Sequence, residues 1–429
     1  MSEAEARKPN LTLFQIFNMS VGFFGIQHGF EIQFARMSSI YEKLGAQPDE
    51  IPFLWLAAPA TGLIIQPIIG YLSDKTWIPA LRMRRRPYFL AGALLGTLAL
   101  FLMPNSGTLW MAAGLLWVLD ASLNVSMEPF RAFVADKQNS AQRPLGYAFQ
   151  GLMIGVGTIL GNGIASQLPM HDAFYVCASI FLVSVVYTVV TTPEYPPEHL
   201  DSGTTGGSTA EALARWWRET SSCYLRMPPV MKRLAAVQFF TWMGLFCMWM
   251  FYAVAVPHHV FGATDPHSDA YERGVRFAAL TTTVRGLATP LFALLIPWLV
   301  KRLGRSFTHA GALLAAGLGL VSVGFIHDPR LLFLAMIGAG IGWASVVSMP
   351  YVILVEHLPK NQYGIYMGIF NMFIVIPEIC VALGLGGVIM DLLGGNRAYG
   401  VAFGGALILT AALLTVLLLR PYEPERARS

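Results

Sequence analysis

Charge is scarce in this chain. Only 13% of its 429 residues are Asp, Glu, Lys or Arg, against roughly 25% in a typical soluble domain. The four cysteines, Cys177, Cys223, Cys247 and Cys380, have no paired spacing, which argues against a disulfide framework or a cysteine-ligated metal. The adjacent histidines His258-His259 have no acid cluster around them, so neither a metal centre nor a nucleophile–base pair is indicated. No cofactor is called for, and an enzyme is disfavoured. The net charge of +4 is too small to imply nucleic acid as a partner. No small-residue cleavage site follows the first apolar run, which reads as a retained helix. A long cytoplasmic extension, of the kind a transporter-like sensor uses to report binding, is also missing.

What fills the chain instead is apolar. Hydrophobic residues make up 55% and the mean hydropathy is +0.54. One buried core cannot absorb that excess, whereas a lipid bilayer can. Twelve runs of spanning length can be marked, the first at 11–37 and the last at 398–420. The expected fold is an all-α membrane protein with twelve transmembrane helices in two pseudo-symmetric six-helix bundles. The bundles are expected at 1–191 and 233–429, joined by a cytoplasmic linker at 192–232. That linker is Pro-, Gly- and Ser-rich and carries the basic amphipathic segment Arg215-Trp216-Trp217-Arg218. Most Lys and Arg fall on one side of the resulting topology, which places both termini in the cytoplasm. The halves echo each other: "SMEPFRAFVAD" at the end of the fourth run returns as "SMPYVILVEH" at the end of the tenth. Parallel six-helix halves of this kind hold a small-molecule site near the midplane and rock about it.

The run "VLDASLNVSMEPFRAF" breaks the apolar rule. At 100° per residue Asp120, Asn124, Glu128 and Arg131 form one polar stripe, and lipid is a prohibitive neighbour for it. Asp120 lies near mid-membrane. Arg131 is about 16 Å along the helix and cannot reach it, whereas Glu128 and Arg131, at i,i+3, can form a local pair. Inside the predicted spans the acids Glu31, Asp120, Glu128 and Glu378 outnumber the bases Arg131 and Arg285. The membrane interior therefore has an affinity for a cation, a proton or a metal ion such as sodium. Glu378 and Arg285 are alternatively charge partners of each other. In the first run, "GIQHGFEIQFARM", Gln27, Glu31 and Gln33 offer donors and acceptors for a hydroxyl-rich ligand, and His28 is a weaker candidate, as a proton relay. In the seventh run, Trp242 or Trp249 could stack on a ring. Asn371 adds an amide before Pro377 and Glu378. At the cytoplasmic end of the second run, "GYLSDKTWIPALRMRRRPYF" offers Gly70 for close packing and Asp74 with Arg84, Arg85 and Arg86 as a charge latch.

With these residues in view, the chain resembles the major facilitator superfamily. Its motifs resemble the sucrose/disaccharide–proton symporters of the glycoside–cation symporter group. The blocks "WLAAPATGLIIQPIIGYLSDK", "LDASLNVSMEPFRAFVAD", "YERGVRFAAL" and "GIYMGIFNMFIVIPEICVALG" carry the resemblance across nearly the whole chain. It implies that Asp120 accepts the proton and that Arg131 takes part in substrate binding and coupling. Asn124, Gln27, Gln33 and Asn371 match the same motifs. Glu31, Glu128, Arg285 and Glu378 stand where the plant sucrose carriers are expected to have uncharged residues, and the acidic pair of their seventh helix is missing here. The resemblance implies inward transport of a disaccharide (sucrose, maltose or a related glycoside) with a proton. Sodium coupling and a sugar sensor are the alternatives. A monomer in a bacterial inner membrane is expected.

Overall fold

Eleven helices, counted among the described residues, are long and apolar enough to cross a membrane. They belong to a computed structural model that describes residues 10–139, 142–194, 224, 226–355, 357–358 and 363–419. A twelfth long helix precedes them. This is α1, Leu13–Lys43, opened by a capping box between Thr12 and Gln15. Its 31 residues suffice for a crossing, though it is not among the eleven that are apolar enough by composition. This is the helix that carries Gln27, Glu31 and Gln33.

The remaining five helices of the first unit are α2 (Ala57–Lys75), α3 (Arg86–Leu102), α4 (Leu109–Lys137), α5 (Arg143–Gln167) and α6 (Met170–Thr191). Thr108 caps α4 by accepting from the Met111 amide at 3.2 Å. The second unit holds α7 (Pro229–Ala255), α8 (Asp269–Leu303), α9 (Arg305–Val323), α10 (Leu331–Val346), α11 (Tyr363–Cys380) and α12 (Arg397–Leu419). Ile51–Leu54, which sequence placed at the head of the second spanning run, is a separate helical turn. The described residues 47–56 cluster with the second unit rather than with the first. The segment Arg215-Trp216-Trp217-Arg218, and most of the expected 192–232 linker, lie outside the described residues.

The internal repeat is visible in which helices pack together. In the first unit α1 packs on α5 and α6, α3 on α4 and α6, and α2 on α4. In the second, α7 packs on α11 and α12, α9 on α10 and α12, and α8 on α10. The scheme is the same with six added to each number. The two Pro-aromatic motifs behave differently, however. Pro129 lies inside the continuous helix α4, whereas α10 stops at Val346 and a new short helix, Met349–Val355, contains Pro350. A proline inside a helix removes one main-chain bond, and only the second copy breaks there.

Two glycines of α5 bring it against α1. A Cβ at Gly157 would lie 2.7 Å from Gln27 Cβ and 3.0 Å from Phe24 O, and one at Gly161 would lie 3.0 Å from Glu31 Cβ. Small residues four apart permit this approach between membrane helices. Replacing Gly161 with Leu is expected to separate α1 from α5 and destabilise the fold by about 1–3 kcal/mol, as overpacking does. A lowered thermal unfolding midpoint in detergent checks this; an unchanged one contradicts the close approach.

Candidate functional site

The polar stripe of α4 divides into separate environments. Asp120 is 1% exposed. Its Oδ1 accepts a hydrogen bond from Gln33 Nε2 of α1 at 2.9 Å, while Asp120 Oδ2 and Gln33 Oε1 have no hydrogen-bond partner among the described residues. One turn along, Asn124 Nδ2 donates to the Asp120 main-chain oxygen at 2.9 Å and to Thr61 Oγ1 at 3.2 Å. Asn124 Oδ1 accepts from Gln66 Nε2 at 2.6 Å. Helices α1, α2 and α4 are thus tied by one chain of neutral amides that ends on a half-satisfied carboxyl group. A carboxylate offers about four lone-pair sites, so the side chain of Asp120 has most of its capacity unused.

Glu31 is only two residues from Gln33, and on a helix that separation points it the other way. It is turned to α5. Its Oε1 accepts from Gln27 Nε2 at 2.7 Å and from Thr158 Oγ1 at 2.9 Å, and its Oε2 accepts from Asn162 Nδ2 at 2.6 Å. Three donors, one from α1 and two from α5, converge on one buried acid and fill both of its oxygens. Sequence reasoning put Glu31 and Asp120 in a single pool of acids; the structure gives each its own network. It also adds Thr61, Gln66, Thr158 and Asn162, which sequence reasoning missed. These are neutral residues whose only signal is an amide or hydroxyl inside a spanning run, as with Asn162 in "GTILGNGIAS".

Arg36 was missed for another reason. It falls at the end of the first apolar run and reads as an outer-edge charge, yet it is 0% exposed. Its Nη2 donates to Ala165 O at 2.6 Å and Leu168 O at 3.1 Å, the carbonyls that close α5. A cation at a helix C-terminus is favourably placed. Arg36 therefore joins Arg131 and Arg285 among the cations of the spans, and the imbalance of acids over bases read from sequence narrows.

Arg131 has a side chain 54% exposed, and its Nη1 is 3.9 Å from Glu128 Oε2. The local i,i+3 pair is therefore present, at the long end of the range. Gly70 of α2 faces the same Glu128: a Cβ there would meet Glu128 Cγ at 3.7 Å. Below it lies the charge latch. Asp74 Oδ1 accepts from Arg85 Nη2 at 2.6 Å and Arg84 Nη2 at 3.3 Å. Asp136, on α4, pairs with Arg85 Nε and also with Arg84 Nη1 at 3.5 Å. Glu194 accepts from the main-chain N–H groups of Arg84, Arg85 and Arg86 at 2.7, 2.8 and 3.2 Å, so a carboxylate caps the positive end of α3. Asp136 and Glu194 were not singled out from sequence, because no spacing connects them to the arginine run. Lys137 donates to Pro193 O at 2.7 Å, and burial pushes its pKa down to about 8 against the attraction of Glu194.

In the second unit, Arg285 of α8 and Glu378 of α11 are 5% and 8% exposed, and Asn371 is on the exposed side of α11. Trp242 of α7 is 9% exposed and belongs to a cluster of three indoles. Its ring centroid lies 6.1 Å from that of Trp249 and 6.0 Å from that of Trp343, and the latter two are 5.7 Å apart.

Long apolar helices and an acid held within them define a multi-pass membrane protein of the facilitator architecture. The chain belongs to the Major Facilitator Superfamily, whose model matches residues 19–377 and 270–429. It is 24% identical over 469 residues to the sucrose transport protein SUT5 of Oryza sativa subsp. indica, covering 92% of this chain and 85% of that one. A general alpha-glucoside permease of Schizosaccharomyces pombe is 28% identical over 268 residues, covering 56% of this chain and 47% of the permease. Among solved structures, the nucleoside transporter NupG is similar in fold, with a TM-score of 0.69 at 13% identity, over 95% of this chain and 98% of that one.

The Glu31 network has a checkable consequence. In Glu31→Gln, an amide N–H group replaces an acceptor that Gln27, Thr158 or Asn162 now fills, so donor meets donor. The variant is expected to lose about 1–3 kcal/mol of stability. Thermal unfolding in detergent measures it; an unchanged or stabilised variant would contradict the three-donor network.

Proposed function

We propose that this protein is a secondary active transporter that carries a disaccharide, such as sucrose, maltose or a related glycoside, inward together with a proton. Two named relatives support the substrate class, one a sucrose transport protein and the other an alpha-glucoside permease. The observation that carries the coupling is Asp120: an acid buried in a spanning helix, one oxygen held by Gln33 and the other without a partner among the described residues. An ionised carboxylate in that state is unfavourable in a low-dielectric interior, and binding a proton relieves it.

In this reading Asp120 takes a proton at Oδ2 from outside. The neutral group then leaves the amide of Gln33 free to turn toward sugar hydroxyls, with Gln27, Asn124 and Arg131 as further polar contacts. After the sugar leaves on the inside, Asp120 releases the proton and alternating access resets the carrier. Glu31 joins α1 to α5 and takes part in coupling through the position of Gln27 and Gln33. The latch of Asp74, Arg84, Arg85 and Arg86, with Asp136 and Glu194, acts as the cytoplasmic gate. A bacterial inner-membrane location, cytoplasmic termini and action as a monomer complete the proposal. A sodium-coupled carrier would instead need oxygen acceptors converging on the acid, whereas the side-chain group bound to Asp120 is an amide donor.

Reconstitution into proteoliposomes tests it. Asp120→Asn is expected to abolish uphill accumulation of labelled disaccharide while retaining sugar-for-sugar exchange, because the amide mimics the protonated acid but cannot release a proton. Accumulation at the wild-type level in this variant would contradict the proposal.

A further inference from the structure

Helix α7 does not stop at Ala255. It runs on into a π-turn, Val256–Val260, which carries His258 and His259. Turns of this kind are rare and are frequent at functional sites. His258 is accounted for: its Nδ1 donates to Ala263 O at 2.7 Å, and its ring packs edge-on against Tyr271. His259 is not. Its Nε2 is buried and has no hydrogen-bond partner among the described residues. The ring beside it is that of His327, from the turn between α9 and α10, at a centroid distance of 4.8 Å and an interplanar angle of 44°. The whole of α8 and α9 lies between the two histidines in sequence, so no spacing joins them.

The tautomer of His327 is fixed by its own turn. Its Nδ1 lies 3.0 Å from Phe325 O. A carbonyl only accepts, so Nδ1 carries the proton and Nε2 of the neutral ring carries the lone pair. Histidines that ligate metals ordinarily hold their other ring nitrogen in this way, on a main-chain carbonyl. Two imidazoles that share one ion through bonds of about 2.1 Å, at angles of about 90–110°, have centroids about 4.5–5.3 Å apart. The observed 4.8 Å falls inside that range. His259 also stands at the C-terminal end of a helix, where the dipole favours a cation. His327 is exposed, which gives an ion access from solvent. Packing alone is the weaker account, because it leaves a buried nitrogen of His259 unmatched with nothing to offset the cost.

We propose that His259 and His327 bind one divalent transition-metal ion, zinc or copper, through their Nε2 atoms. Among the described residues no group of three or more His, Cys, Asp or Glu side chains is arranged to hold a metal, so water completes the coordination. Imidazole nitrogen suits zinc and copper, whereas magnesium and calcium take oxygen ligands. The ion joins the end of α7 to the α9–α10 turn within the second unit. With cytoplasmic termini, as proposed above, that end faces outside and the ion comes from the medium.

Metal titration of the purified full-length protein, prepared without a histidine tag and stripped with chelator, tests the site. Calorimetry is expected to show one zinc or copper ion bound per chain and no binding of magnesium. Copper bound there is expected to show two imidazole nitrogens in its paramagnetic resonance spectrum. His259→Gln and His327→Gln are each expected to weaken binding at least about tenfold, a scale reached even when only the partner of a ligating histidine is lost. Each is also expected to leave a single nitrogen in the spectrum. His327 lies in an exposed turn, so His327→Gln is expected to keep the metal-free unfolding temperature of the wild type and decides the matter if His259→Gln fails to fold. Zinc is expected to raise the unfolding temperature of the wild type and not that of His327→Gln. His171→Gln, in the first unit, is expected to bind as the wild type does. Absence of binding in the wild type would overturn the site, and so would undiminished affinity in His327→Gln. An equal loss in His171→Gln would point to scattered surface histidines and overturn it as well. The sugar-carrier reading is independent of each of these outcomes.

Discussion

The hydrogen bond from Gln33 to Asp120 joins the two helices on which the account depends. A carboxyl group inside a bilayer must be protonated, paired or saturated with donors, because water is not there to solvate it. Glu31 meets this condition with three donors, and Glu128 partly meets it through Arg131. Asp120 receives a single side-chain donor. The structure thus separates acids of similar sequence context into one whose oxygens are filled by donors and one that is left with unmet capacity. The second kind is suited to exchange a proton.

The rest of the first unit supports that contrast. Gly157 and Gly161 bring α5 close enough for Thr158 and Asn162 to reach Glu31, which fixes the rotation of α1. With α1 fixed in that way, Gln33 faces α4 and its amide meets Asp120. Gln66 and Thr61 extend the contact to α2 through Asn124. At the other end of α2 and α4, Asp74 and Asp136 share Arg84 and Arg85. A change of charge at Asp120 and a change in the latch therefore act on the same pair of helices, linked as well by Glu128 against Gly70. This is a physical route between the two, made of packed groups rather than of distance alone.

Much of the fold was legible because a bilayer imposes a simple rule on composition: spans must be long and apolar, and they stood out. The depth and isolation of Asp120 could also be read, since both follow from position along a helix and from the absence of a cation one turn away. Partners on other helices could not be read. Gln33 was singled out for its chemistry, but nothing in its spacing tied it to Asp120. Thr158 and Asn162 are ordinary polar residues until α5 is placed against Glu31. Arg36 was misjudged because its depth depends on how far α1 continues beyond the apolar run, and that continuation, to Lys43, is stabilised by tertiary contacts. The break at Val346 was hidden for the reverse reason. Its proline motif matches that of α4, and only packing decides which copy stays continuous.

The most direct test is to follow sugar and proton together in proteoliposomes that contain no imposed ion gradient. A gradient of disaccharide alone is applied, and internal pH is recorded alongside labelled sugar. Inward sugar movement is expected to acidify the lumen in the wild type, with no dependence on sodium and no acidification in Asp120→Asn. Sugar entry without acidification in the wild type, or acidification that persists in Asp120→Asn, would contradict the assignment of the coupling proton to Asp120.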